Sequence, residues 1–542
     1  MEILFLNNFI FFLLKYFLFY STLYLMGRGI FILFFNNLKE NISKNESINI
    51  YNILPIVGIF FLGNMLTLFN FFIPLNSNVN FLIFSILLLN FKNIIYVVNA
   101  KKLLIKFFIH GVLLLSSYNI YFHYDAGLYH LGHQLLLSNN NLIIGISNIY
   151  GPYGVGSILE YISSFFWFDK TYNLLHFISV LFAAFFFEFL FDLINKEKHS
   201  YIKNAGIALL LFAFLDNFGR SGGRNGFIFF QGIGKQDMEI AILYVLVTLL
   251  IIISTKQKDF SEVNIFLVTL LTLFIFQLKV SGSVVLLFYI FYLYEFYKSK
   301  VSLELYFKNS AVFIAFGVIW IIKSLLSTGC FVFPSVISCL NFSWVDKKYI
   351  KTIEDISIQY SNSFNFDSSL VNWFENYVNL EINKTILLNF FISYVFIYFA
   401  IFKSSGSDHH RKTSFKINFI LFISLLFFLK FGPDPRYLMG IQMLFISLIG
   451  VNRVMRFQFK LNYLYVLFVF SLILFNRIDT YRNFDFFTFP TYEIPKPETT
   501  LYDERYYPLE GDQCWISDNC SSSLYEYKVS QEKYFKIVKL KD

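Results

Sequence analysis

MEIAILYVLVTLLIIIS (238–254) and EVNIFLVTLLTLFIFQL (262–278), joined by TKQKDFS (255–261), decide the fold class. Both runs are predominantly apolar, as segments solvated by lipid are. Each is close to the ~20 residues that cross a bilayer, and the connection between them holds Lys256 and Lys258. The same pattern recurs along the chain. Apolar runs at 3–33, 53–74, 79–98, 103–120, 172–193, 204–216, 283–296, 309–327, 385–402, 416–431, 436–451 and 461–476 complete a set of about fourteen candidate spans. The first of these reads as one long helix or as a hairpin broken at Gly27-Arg28-Gly29.

Composition agrees. The 542 residues are 56% hydrophobic and 21% aromatic, with 74 Phe and only 15% charged residues. A soluble domain carries about 25% charged residues, and no soluble interior is large enough to hide this much apolar surface. A nucleic-acid reader, a disordered chain and a small disulfide-stapled secreted module are excluded. The net charge of +8 is spread over short loops, as a topology signal would be. The expectation is an all-α polytopic membrane protein of about 12–14 transmembrane helices. Residues 1–100 form N-terminal helices, 101–476 a core with external loops, and 477–542 a small external tail. The N-terminal run lacks a small-residue cleavage site and reads as a retained helix.

Orientation follows from Lys and Arg, which accumulate in cytoplasmic loops. The stretches at 101–102, 196–203, 256–258, 298–308, 403–416 and 453–460 all fall on one side when the spans are threaded in order. The opposite, external side receives 121–171, 217–237, 328–384, 431–436 and the tail. All four cysteines lie there: Cys330 and Cys339 in the long loop, Cys514 and Cys520 in the tail. An even set confined to an oxidising compartment points to disulfides, most simply Cys330–Cys339 and Cys514–Cys520, with cross-pairing between loop and tail still open. Their spacings suit structural zinc poorly.

The external segments hold the polar chemistry. YFHYDAGLYHLGHQLLLSNN (121–140) places Asp125 at the end of a span, where an ionisable group is costly unless it is used or paired. Asp125 can act as a general base on an acceptor hydroxyl or hold a divalent metal; alternatively it caps the helix that begins near Ala126. His130 and His133, three residues apart, share a helix face, and with His123 they can contact a phosphate or a metal, or simply rest at a wet interface. NIYGPYGVGSILEYISSFFWF (148–168) is too broken to span and reads as a re-entrant or interface-lying segment. DNFGRSGGRNGFIFFQGIGKQDMEI (216–240) offers Arg220, Arg224 and Lys235 among glycines, a set suited to an anion or to lipid headgroups. In FLKFGPDPRYLMG (428–440), Arg436 opens a span, where it can hold a phosphate or anchor the helix. Lys279 has a similar but weaker placement.

Four motifs in order, DAGLYH (125–130), STGCFVFPSVISCLNFSW (327–344), PDPRYLMG (433–440) and GDQCW (511–515), resemble a family of bacterial polytopic proteins similar to the GT-C superfamily of membrane glycosyltransferases. The likeness covers roughly residues 50 to 525. It implies a GT-C-like helix bundle in the inner (cytoplasmic) membrane, acting on the periplasmic or exterior face in cell-envelope polysaccharide assembly. It implies transfer of a sugar from a polyprenyl-phosphate donor to a glycan or lipid acceptor, with Asp125 as base or ligand of a divalent Mg or Mn. Arg436, with Arg220, Arg224, Lys235, His130 and His133, is the candidate phosphate and substrate set. The chain departs from GT-C enzymes in having about three extra spans before the acidic loop, and one acid where many have a pair. An oligosaccharide-repeat polymerase or ligase, and a polysaccharide or lipid transporter, are the rival readings.

Overall fold

The computed structural model describes residues 8–35, 49–76, 78, 100–168, 172–195, 200–218, 230–360, 369–404, 411–431, 434–457, 459–502, 505–517, 520, 526–532 and 534–541. The chain is mostly helical. The helices that build the bundle and its site are α1 (Phe9–Phe34), α2 (Ile50–Asn70), α3 (Ala100–Leu114), α4 (Leu131–Asn139), α5 (Ile158–Phe165), α6 (Asn173–Ile194), α7 (Ser200–Phe218) and α8 (Asp237–Gln257). They continue as α9 (Glu262–Leu278), α10 (Val285–Lys298), α11 (Leu303–Thr328), α12 (Glu381–Phe396), α13 (Arg411–Phe431), α14 (Met439–Asn452) and α15 (Leu461–Phe475).

Among the described residues, seven helical stretches are long and apolar enough to cross a membrane: Phe9–Phe34, Ile50–Asn70, Asn173–Ile194, Asp237–Gln257, Val280–Lys298, Leu303–Thr328 and Glu381–Ile401. Three shorter apolar helices accompany them at Leu103–Asn119, Glu262–Leu278 and Leu461–Phe475. Of the other expected spans, 204–216 and 416–431 lie within α7 and α13, and 436–451 covers the end of a short turn and most of α14; these three helices fall outside both sets, and 79–98 lies outside the described residues. The first apolar run is a single helix rather than a hairpin. Asn8 starts α1 by accepting a hydrogen bond from the Phe11 amide, and the glycines at 27 and 29 do not break it.

Gly27 is used for packing. A Cβ at Gly27 would stand 1.8 Å from the Leu54 carbonyl oxygen, and one at Gly58 would stand 2.1 Å from that of Leu23. Helices α1 and α2 therefore cross backbone to backbone, an approach that only small residues permit. Further inside, α1, α3 and α6 enclose a polar cluster that closes on itself. Glu188 receives Lys106 Nζ at 3.0 Å and meets His110 Nε2 at 3.1 Å, while the Tyr16 hydroxyl lies 2.7 Å from His110 Nδ1. A charge in this interior persists only because each partner is matched.

Segments from distant parts of the chain gather at one end of the bundle. Strand β1 (Tyr121–Phe122) pairs in parallel with β2 (Gly232–Ile233). The tail docks on the same end: the Trp515 amide donates to the Gly127 carbonyl at 2.9 Å, and the hairpin of β7 (Tyr527–Glu532) and β8 (Phe535–Leu540) exchanges backbone hydrogen bonds with Ile144. Between these pairs of strands, β3 (Phe402–Ser404) joins β4 (Arg453–Met455) and β5 (Thr499–Tyr502) joins β6 (Arg505–Pro508), both antiparallel. Cys330 pairs with Cys339 and Cys514 with Cys520. Gly329, at φ +80, terminates α11 and turns the chain into the first disulfide loop.

Residues 148–168 do not form a span, as expected, and of the two readings left open their burial inside the bundle disfavours the interface-lying one and is compatible with the re-entrant one. Ser157 caps the short helix α5 by accepting from the Leu159 amide, and α5 is buried on every side. Its Ile158 and Ile162 fill the gap left by Gly63 of α2. The broken apolar sequence is thus explained by insertion into the bundle, where its one carboxylate, Glu160, is 3% exposed.

Candidate functional site

A pocket with about 410 Å³ of open space lies where the β1 segment, the α5 segment and the turns before α8 and after α9 converge. Asp125, Tyr129, His130, His133, Gly156, Glu160, Lys235, Gln236 and Lys279 line it. The parallel pairing of β1 with β2 positions its centre, because it brings the residues that follow each strand face to face. The His123 amide donates to the Ile233 carbonyl at 2.9 Å, and two residues further along each chain Lys235 donates a short charged hydrogen bond to Asp125 Oδ2. Asp125 makes no side-chain capping bond to the turn at Ala126; its carboxylate is directed to the lysine instead.

The electrostatics follow from this arrangement. Burial opposes ionisation of Asp125, but the Lys235 ammonium and its hydrogen bond outweigh burial and hold the carboxyl below its usual range. Lys235 itself is lowered, chiefly by burial and then by the Arg436 charge, with Asp125 opposing. Burial, with the Lys235 charge beside it, pushes His123 down to about 4, so its ring is neutral at physiological pH. His133 is pushed down to about 4 by burial and by the Lys323 ammonium, with Glu160 opposing.

A second carboxylate stands behind the first. Glu160 accepts a short hydrogen bond at His130 Nδ1, one from Gln134 Nε2 at 3.0 Å and one from Gln236 Nε2 at 3.4 Å. Trp167 Nε1 in turn fixes Gln134 through its Oε1 at 2.8 Å. Burial raises Glu160, and His130 with these hydrogen bonds overrides it, so the group is held as a carboxylate. His130 and His133 thus have different surroundings: His130 is tied to Glu160, while His133 stacks on Tyr153 with ring centroids 5.6 Å apart.

Arg436 belongs to the same neighbourhood. Its charge acts on His123 and Lys235, and Asp125 and Asp237 act on it in return. Its Nε lies 2.6 Å from Asp434 Oδ2, off the N–H axis, as an ion pair rather than a directed hydrogen bond. The Tyr437 ring lies between two cations, with Lys279 Nζ at 4.2 Å and the Arg436 guanidinium at 5.0 Å from its centroid. Lys279 Nζ reaches Asp237 Oδ1 at 3.3 Å. The structure thus gathers Asp125, Lys235, His130, His133, Arg436 and Lys279, whereas Arg220 and Arg224 lie outside the described residues.

Lys235 already places a cation on Asp125 Oδ2, and the side chain next to it, His123, keeps Nδ1 3.8 Å away. Among the described residues no three His, Cys, Asp or Glu side chains converge as ligands. The tail closes over this region. The Trp515 indole covers Gly127, Gln513 Nε2 donates to the Tyr124 carbonyl at 2.8 Å, and the Tyr124 hydroxyl donates to Asp512.

Glu160, Gln236, Tyr437 and Lys323 were not singled out from sequence. Glu160 stands in an apparently interfacial helix and Lys323 inside an apolar run, where one charge among some twenty apolar residues is itself a signal of use.

No curated protein and no solved structure matches the chain. A family model does, over residues 9–443. That range takes in Asp125, Glu160, Lys235, Lys279 and Arg436, and it stops before the tail. The chain belongs to the family described as Domain of unknown function (DUF8201).

Proposed function

We propose that this pocket is the active site of a GT-C-like glycosyltransferase that takes a sugar from a polyprenyl-phosphate carrier at the outer face of a bacterial inner membrane. The observation that supports it is the meeting of Asp125 with Lys235 and Lys279 around one open volume at an end of the apolar bundle, with the Arg436 charge acting on Asp125 from beside it. In this reading the acceptor hydroxyl attacks the anomeric carbon and passes its proton to Asp125. The new carbon–oxygen bond forms as the bond to the carrier phosphate breaks, and the departing phosphate keeps the electron pair. Arg436 and Lys279 stabilise that growing charge, which is greater in the transition state than in the bound donor. Lys235 orients Asp125 and takes the place a metal would occupy, so transfer should persist in a chelator.

The test is lipid extraction from the gently purified protein, and from its Arg436→Ala and Asp125→Asn variants. A polyprenyl-phosphate sugar should co-purify with the wild type, fall away in Arg436→Ala and accumulate unreacted in Asp125→Asn. Ordinary phospholipid alone in all three refutes the reading and favours a transporter, while a carrier bearing a whole repeat unit assigns the pocket to a polymerase or ligase.

A further inference from the structure

Lys323 lies near the end of α11 and is only 3% exposed. Among the described residues its Nζ has no hydrogen-bond or ion-pair partner; it stands 4.6 Å from the Trp320 ring centroid and 5.6 Å from that of Tyr161. The carboxylate that acts on it, Glu160, is committed to His130, Gln134 and Gln236. An unmatched buried ammonium is expensive, and aromatic faces offset only part of that cost. The backbone is also shaped to admit it. Gly156 adopts φ +20, and a Cβ there would stand 2.4 Å from Lys323 Nζ.

The ammonium faces open space. A second recess, continuous with open solvent, is lined by Gly156, Gln277, Lys279, Trp320, Lys323 and Phe333, and it shares Val155, Gly156 and Lys279 with the first. Its other polar groups are engaged. Gln277 and Asn64 exchange hydrogen bonds of 2.8 and 3.2 Å, Ser324 Oγ donates to the Cys330 carbonyl at 2.8 Å, and Lys279 is on Asp237. Lys323 is the group left to meet a ligand, and aromatic faces supply the rest of the wall. A cation among aromatic faces suits an apolar-faced ring that carries a negative substituent.

We propose that the second recess is a subsite for an acidic saccharide, whose carboxylate or phosphate pairs with Lys323 while its ring lies against Trp320. The inference rests on reading the adjoining pocket as a saccharide-transfer site, and it narrows the substrate class to sugars bearing an anionic group. It also gives a reason for a charge that would otherwise only destabilise the fold.

The experiment uses the full chain in phosphatidylcholine nanodiscs, with ligand-observed NMR titrations of glucuronate, glucose 1-phosphate and glucose. The wild type should bind at least one of the two anions about tenfold or more tighter than glucose, as a buried charge-assisted contact provides. Lys323→Met should lose that preference and, without sugar, unfold at a higher temperature, because it removes an unmatched charge. Lys323→Gln provides the same comparison if the methionine variant does not fold. Preference for glucuronate assigns a carboxylate sugar, and preference for glucose 1-phosphate a phosphorylated one. Equal binding of all three probes, a preference that survives both substitutions, or displacement of the sugars by phosphatidylglycerol overturns the proposal. Acidic-sugar binding without a co-purifying carrier would leave the subsite standing and remove the transferase. A carrier without acidic-sugar preference would do the reverse.

Discussion

Acid should unfold this protein through His133 before the carboxylates titrate. The ring is buried, stacks on Tyr153 and has the Lys323 ammonium nearby, with Glu160 as the opposing charge. Burial and that ammonium hold its proton affinity near 4 instead of the ordinary 6.5. The unfolded chain therefore takes up the proton first. Stability is complete above pH 6.5 and falls as the pH drops from 6.5 toward 4, where the folded ring also protonates. At about 1.4 kcal/mol per tenfold change in proton affinity, the loss at this one site reaches about 3 kcal/mol. Thermal unfolding in mild detergent between pH 7 and pH 4.5 reads it directly. His133→Phe keeps a ring against Tyr153 and removes the proton site, so its unfolding temperature should fall much less over the same range. His123, also held near 4, leaves a residual slope in both proteins. An acid slope in His133→Phe as steep as in the wild type would refute the assignment.

Other perturbations test other parts of the structure. Glu188→Gln strips the charge that matches Lys106 and His110; removing one partner of a buried pair should cost about 3 kcal/mol, seen as a lower unfolding temperature. At Gly127 a Cβ would stand 2.6 Å from Trp515 Cε2, so Gly127→Val should undock the tail and speed its removal by limited proteolysis while the helical circular dichroism persists. Asp434→Asn frees Arg436 of its ion pair and should raise the yield of co-purified phospholipid or carrier phosphate several-fold; an unchanged yield would show that Asp434 does not compete for the guanidinium. Gly27→Leu forces a side chain onto the Leu54 carbonyl and should lower the unfolding temperature, by overpacking worth about 1–3 kcal/mol.

Much of the helical framework was legible because apolar runs are long and breaks between them are charged. α6, α8 and α11 coincide closely with expected spans at 172–193, 238–254 and 309–327. Both disulfides join the cysteines that are nearest in sequence, where little chain separates the partners. The chemistry of single residues was less legible. Asp125 drew notice as an acid at a helix end, but its partner lies 110 residues away and is set by two-residue strands too short to carry a pattern. The capping reading failed for the same reason, since local spacing cannot reveal a competing cation from elsewhere in the chain. α5 misled because burial against Gly63 and an apolar interface select the same residues.

The charge arrangement differs between the two chambers. In and beside the first chamber each strong cation has a carboxylate: Lys235 has Asp125, Lys279 has Asp237, and neighbouring Arg436 has Asp434. His130 meets Glu160. A matched set of this kind holds its geometry without a ligand, and the pairs differ in how readily they exchange. Arg436 and Asp434 are 23% and 30% exposed, so water weakens their attraction and a phosphate able to engage the guanidinium bidentately can replace the carboxylate. Lys235 is 4% exposed and stays on Asp125. An incoming phosphate would therefore be accepted at the Arg436 edge, while Asp125 would keep its orientation toward the centre. The unmatched charge lies across Gly156, at Lys323, where no carboxylate among the described residues pairs with it. Replaceable pairing on one side and a missing partner on the other make the pocket receptive to negative charge at both ends, with the one oriented carboxylate between them.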